Sequence, residues 1–336
     1  MPTVVDALRA DHDVVYARGC DVTDPDRSGF AAARAAAQQA DVCVVVVGDR
    51  AGLFGRGTSG EGCDVSDLEL PGVQADLVRA VQETGTPVVL LLMTGRPYAV
   101  GELVEASAAA VQAFFPGQRG AQAVADVLSG RVAPSGRLPV SMPRSAGAQP
   151  GTYLAPALGL RTSVSSVDPT PLFPFGHGLG YEQLEWEDVQ VVGDPRWAVD
   201  GEVQVRLTVH HRGARPAADV VQLYLHDPVS QVTQPVVRLV GFARVELQPG
   251  ESRRVTFTVP ADVVSFTGTR GRRVVEPGAV ELRVARSSAD VVEVLHLQVV
   301  GEERELGPDR RLVSDVTVDA PGAGDPSGRA YEEVAV

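Results

Sequence analysis

Two unbroken apolar runs, Val42-Cys43-Val44-Val45-Val46-Val47 and Val88-Val89-Leu90-Leu91-Leu92-Met93, constrain the first half of the chain most. Runs of this length bounded by turn residues are strands buried on both faces, and they fall far short of a membrane span. Between them Val73, Leu77, Val78 and Val81 share one face of a helix over 73–84, with Gly85 suited to its C-terminal cap and Pro87 just beyond. Strand, helix and strand in this order imply a crossover connection and hence a mostly parallel sheet flanked by helices. A helix over 4–10, a short strand at Val14–Tyr16, an alanine-rich helix over 30–40, a strand over 108–115 and a helix over 120–128 complete the pattern. An α/β sheet rarely opens on a bare helix, so its first strand is expected to be missing.

The character changes from Pro134 to Gly180, where proline and glycine punctuate a stretch without periodicity that ends in the aromatic turn Phe173-Pro174-Phe175-Gly176-His177-Gly178-Leu179. From Leu184 the pattern is all-β. Val203–Val209 alternates apolar and polar residues, and Val220–Leu225, Val236–Val245, Arg254–Val259 and Val280–Val284 follow, separated by turns such as Pro249-Gly250 and Pro277-Gly278. Short strands so spaced predict a β-sandwich of immunoglobulin or fibronectin type III kind. The expected division is an α/β domain over 1–145, a linker over 146–183, a fibronectin type III-like domain over 184–300 and a charged, then Gly/Pro-rich, tail over 301–336.

Composition removes several function classes. A net charge of −13 disfavours nucleic acid and anionic membrane as partners. Three scattered cysteines, Cys20, Cys43 and Cys63, make neither a disulfide framework nor a zinc site, and the histidines lack metal spacing, so no cofactor or metal is expected. Residues 1–10 carry no apolar signal-peptide core, which favours a soluble, cytoplasmic chain.

Chemistry concentrates in the loop after the first apolar run, Gly55-Arg-Gly-Thr-Ser-Gly-Glu-Gly-Cys-Asp-Val-Ser-Asp67. Its glycines match a dinucleotide fingerprint on paper, but that fingerprint must open directly into a helix holding pyrophosphate. Here it runs into acidic Glu61 and Asp64, and the helix starts only near Val73. Ser59 lacks the Gly-x-Ser-x-Gly frame of a hydrolase elbow. His177, between two glycines, reads as a structural residue of its turn. What remains is an acidic cluster, Glu61, Asp64 and Asp67, in which Glu61 is flanked by glycine on both sides; from the residues alone it reads equally as a solvated loop or as a carboxylate placed to meet a ligand.

Ser59-Gly60-Glu61-Gly62-Cys63-Asp64, with Leu68-Glu-Leu-Pro-Gly-Val-Gln74 behind it, resembles the acid/base segment of glycoside hydrolase family 3, enzymes acting on β-linked glucose, xylose or related residues. Thr94-Gly95-Arg96-Pro97, Phe114-Phe115-Pro116-Gly117, Pro134-Ser-Gly-Arg-Leu-Pro139 and the Phe173–Leu179 turn follow in the family's order, and the resemblance extends over about residues 1–300. It implies that Glu61 is the general acid/base of a retaining hydrolysis and that Phe54 and Arg56, in the same loop, line the substrate entrance. It also implies a second carboxylate, an Asp nucleophile carried by an N-terminal (β/α)₈ barrel that this sequence does not contain. Retention needs the two carboxyls about 5–5.5 Å apart across one sugar. The expected partners are therefore a β-linked glycoside and a barrel in cis or in trans, with no turnover in its absence. The alternative is a non-catalytic carbohydrate-binding or scaffold remnant.

Overall fold

The computed structural model describes residues 2–148 and 151–320, and the chain divides into two units. One comprises residues up to 132 with 140–152 and 159–174; the other comprises 133–139, 153–158 and 175 onward. The stretch 146–183 expected as a linker is thus shared out between the two.

In the first unit the helices are α1 (Val4–Leu8), α2 (Phe30–Gln38), α3 (Gln74–Gln82), α4 (Gly101–Glu105) and α5 (Gly120–Leu128). The strands β1 (Cys43–Gly48), β2 (Val88–Met93) and β3 (Ala109–Gln112) form a parallel sheet in that order. Val45 and Val47 of β1 and Leu90 and Leu92 of β2 project onto one face, where Leu77, Val78 and Val81 of α3 close the core. Each such fully buried side chain contributes about 1.5–3 kcal/mol. The other face of β1 is less covered: Val46 remains 47% exposed. Two expectations require correction. Val14–Tyr16 is irregular and its Val15 and Tyr16 side chains are exposed, because among the described residues no strand pairs with it. The strand expected over 108–115 stops at Gln112, before Phe114, whose φ of 51° no strand accommodates.

The second unit is a β-sandwich. Its strands are β4 (Leu184–Val192), β5 (Arg196–Ala198), β6 (Glu202–His211), β7 (Ala217–His226), β8 (Arg238–Leu247), β9 (Ser252–Pro260), β10 (Phe266–Thr267), β11 (Arg273–Val275), β12 (Gly278–Ala285), β13 (Val291–Val300), β14 (Arg304–Glu305) and β15 (Asp315–Val318). One sheet runs β5-β13-β12-β7-β8, the facing one β15-β9-β6-β4, and β10-β11-β14 form a small third. The alternation seen at 203–209 turns Val203, Val205, Leu207 and Val209 inward against Val221, Leu223 and Leu225 of β7 and Val255, Phe257 and Val259 of β9. The expected tail is structured at least to 318. β15 lies antiparallel to β9, with Val316 opposite Phe257 and Val318 opposite Val255. The remainder of that tail, 321–336, lies outside the described residues.

The aromatic turn is bonded to β7. Tyr153 and Phe175 stack at 4.1 Å, and Tyr153 meets Tyr224 edge-on. Gln222 donates to the carbonyls of Gly176 (3.0 Å) and Arg286 (2.6 Å), while the Tyr224 hydroxyl donates to Gln222 Oε1 (2.6 Å). Gly176, at φ 82°, has no room for a side chain, since a Cβ there would stand 2.0 Å from Gln222 Oε1. Burial, and then the neighbouring Arg137 charge, push the His177 imidazole below its ordinary range, against a smaller opposing effect of Asp290. The unfolded chain therefore binds more protons than the folded one between that lowered value and about 6.5. Stability of this unit should fall as pH is lowered through that window, and His177→Gln should flatten the fall. Denaturation midpoints followed by tryptophan fluorescence at pH 7.5 and 5.5 measure it; an unchanged pH dependence in the variant would refute the assignment.

Candidate active site

The loop from Asp49 to Asp67 begins where β1 ends, and that end is fixed from α3. The buried Gln74 amide accepts from Gly48 N (2.7 Å) and donates to Gly48 O (2.9 Å), satisfying both backbone groups of the last residue of this edge strand. The loop then folds back on itself. Thr58 N donates to Arg50 O (2.8 Å) and Gly52 N to Ser59 O (3.0 Å), so a short ladder carries the chain outward and returns it. Ser59 is buried at its base. Gly60 follows at φ 132°, where a Cβ would lie 1.9 Å from Gly52 O, so only glycine permits this close crossing of the two arms.

Glu61 sits at the turn this crossing creates. Cys63 N donates to Gly60 O (3.1 Å), and the buried Cys63 thiol lies 3.7 Å from Glu61 O, so the backbone on either side of Glu61 is held. Its carboxylate is exposed and makes no hydrogen bond or ion pair among the described residues. Asp64 is exposed as well, whereas Asp67 accepts from Glu69 N (3.0 Å) and Ser66 Oγ (3.3 Å) and so shapes its own turn. Of the three acidic residues Asp67 is accounted for locally.

Phe54 is 77% exposed and holds a left-handed φ of 53°, a conformation rare for a bulky residue. The structure brings it to the Glu61 turn, since a Cβ on Gly62 would stand 3.6 Å from Phe54 Cα. Arg56 is exposed on the same arm, its N–H bonded to Leu53 O (3.2 Å). Among the described residues no group of His, Cys, Asp and Glu is arranged to hold a metal, and no helix is long and apolar enough to cross a membrane.

One residue that sequence reading passes over is Asp49. It accepts hydrogen bonds from Thr58 in the loop and from Gly95 N and Tyr98 in the turn after β2. The available signal is its position, an acidic residue directly after the buried run.

The profile of the glycosyl hydrolase family 3 C-terminal domain matches residues 1–181, more than half of the chain. The chain belongs to glycosyl hydrolase family 3. A fibronectin type III-like domain matches residues 219–288, within the β-sandwich. Among family members of known sequence, a beta-xylosidase of Formosa agariphila is 35% identical over 84% of this chain and 39% of its own length. A periplasmic beta-glucosidase of Salmonella typhimurium is 35% identical over 76% of this chain and 34% of its own. Among solved family structures, a beta-glucosidase from Listeria innocua superposes with a TM-score of 0.81 at 31% identity, covering 89% of this chain and 42% of that one. The chain therefore spans about two fifths or less of the length of these three relatives.

Proposed function

We propose that Glu61 is the general acid/base of a retaining β-glycosidase whose nucleophile comes from a (β/α)₈ barrel, in cis or in trans. The observation that carries this reading is a carboxylate without any partner of its own among the described residues, held out at a turn whose backbone is fixed on both sides. A solvated structural acid would have no need of that frame. The names of the family members, beta-xylosidase and beta-glucosidase, support β-linked xylose or glucose as the sugar.

In this reaction Glu61 gives its proton to the departing glycosidic oxygen while the barrel carboxylate attacks the anomeric carbon. Glu61 then takes a proton from the water that releases the sugar. The chain alone supplies one of the two carboxyls and is expected to be inactive. Asp64, in the same loop, is not placed to act from the opposite side of the sugar.

Phe54 offers its ring, and Arg56 its guanidinium, to the part of the substrate beyond the scissile bond. Phe54→Ala should raise KM about fivefold, the worth of about 1 kcal/mol of ring contact, with kcat little changed. A fall in kcat at constant KM would contradict that role. The acid/base role is tested by Glu61→Gln in the chain joined to, or mixed with, a family 3 barrel domain and assayed on β-glucosides and β-xylosides.

A further inference from the structure

We infer that Asp49 is the positioning residue of the Glu61 loop, tying it to the turn after β2 so that the acid/base carboxyl is presented in one place; the inference rests on the assignment of Glu61 above. Asp49 follows β1 directly, and its backbone N–H continues the sheet by donating to Met93 O (2.9 Å). Its carboxylate gathers three donors from separate parts of the chain: Thr58 Oγ1 (2.6 Å) and the Tyr98 hydroxyl (2.6 Å) on Oδ1, and Gly95 N (2.9 Å) on Oδ2. Thr58 lies in the returning arm of the loop, shortly before Glu61, and its hydroxyl oxygen also accepts from Arg50 N (2.9 Å) in the outgoing arm. The segment just after Glu61 is tied to the same turn, because Arg96 Nη2 donates to Cys63 O (2.5 Å). Glu61 is thus bracketed by anchors at Thr58 and Cys63, both of which lead to residues 95–98.

The anchor is stiff for identifiable reasons. Tyr98 is 1% exposed, and burial together with the Asp49 carboxylate pushes its hydroxyl far above the usual phenol range, so it remains a donor throughout the working pH range. An ionised carboxylate accepts from all three neighbours at once, which an amide of the same shape does not. Asp49 itself is half-buried and its carboxylate is engaged by Thr58, Gly95 and Tyr98, so its effect passes through Glu61. Proton transfer tolerates little displacement of the acid, so loosening the loop should appear as lost general-acid catalysis.

The test compares Asp49→Ala, Asp49→Asn and Glu61→Gln in the barrel-completed protein on two substrates. One is an alkyl β-glucoside, whose leaving oxygen needs a proton; the other is a dinitrophenyl β-glucoside, whose leaving group departs without one. For Asp49→Ala, kcat/KM on the alkyl substrate should fall about tenfold to a hundredfold and on the dinitrophenyl substrate much less. Asp49→Asn, which preserves volume and loses one acceptor, should show the same selectivity at smaller amplitude and serves if the alanine variant fails to fold. Amide exchange at Gly52 and Thr58 should accelerate in both variants while Leu90–Leu92 stay protected. Equal losses on the two substrates, or no loss, with Glu61→Gln still selective would overturn the positioning role alone. A Glu61→Gln variant without selectivity would remove the acid/base assignment and the inference with it.

Discussion

In the barrel-completed protein Glu61→Gln is expected to lower kcat/KM on alkyl β-glycosides by about 10²–10⁴-fold, the usual worth of a general acid. On dinitrophenyl glycosides the same variant should form its glycosyl-enzyme at nearly the parental rate, since that leaving group requires no proton. It should then stall, because the amide that replaces the Glu61 carboxylate cannot activate the water of the second step. The signature is a burst of phenol release equal to the amount of enzyme, followed by slow turnover. The structure makes this experiment clean. The Glu61 side chain is exposed and makes no hydrogen bond or ion pair among the described residues, so its loss should leave stability within about 0.5 kcal/mol. Unchanged rates on poor leaving groups would end the assignment.

The largest effect on folding is expected at Arg137, in the Pro134–Pro139 motif. Its guanidinium is bonded to the Asp219 carboxylate, with the two side chains 13% and 8% exposed. Asp219 also accepts from Trp186 Nε1 (3.1 Å) and Val220 N (2.8 Å). A buried pair of this kind adds little over an apolar replacement, but removing one partner strands the other charge. Arg137→Ala leaves a carboxylate with two neutral donors and should cost about 3–5 kcal/mol. Tryptophan fluorescence reads this directly, because both tryptophans, Trp186 and Trp197, belong to the β-sandwich. Trp186 lies against Asp219, and the Arg286 guanidinium sits 4.8 Å over its ring. A loss below about 1 kcal/mol would show that water reaches Asp219 more freely than its burial implies.

Much of this architecture is legible in the residues, for reasons that differ from place to place. The runs at Val42–Val47 and Val88–Met93 announce a parallel sheet because a continuous apolar strand calls for cover on both faces, although one face of β1 leaves Val46 exposed. The alternation at Val203–Val209 announces a sandwich because one face must be buried. Val14–Tyr16 misleads: it has strand-forming residues but, among the described residues, no neighbour to pair with. β15 escapes notice for the opposite reason. Asp-Val-Thr-Val is too short to stand out from charged surroundings, and it becomes a strand because β9 offers it an open edge. α4 is similarly silent, five residues opening on a glycine with no side-chain cap.

At the candidate site, Glu61 and its glycines are visible because the chemistry and the backbone constraint share one segment. Asp49 is not, since Thr58, Gly95 and Tyr98 surround it only once β1 and β2 have paired. Phe54 lies between these cases: its place in the loop is apparent from sequence, but its left-handed backbone and exposed ring emerge only in the fold.

Under the proposed function this chain carries one of the two carboxyls of a glycosidase and depends on a barrel for the other. The direct measurement is nitrophenol release from nitrophenyl β-glucoside and β-xyloside by the chain alone and by the chain supplied with a family 3 barrel domain. No release above background is expected from the chain alone, with turnover on completion that Glu61→Gln makes burst-limited. Steady hydrolysis by the chain alone, or a completed protein that never turns over, would contradict this division of the site.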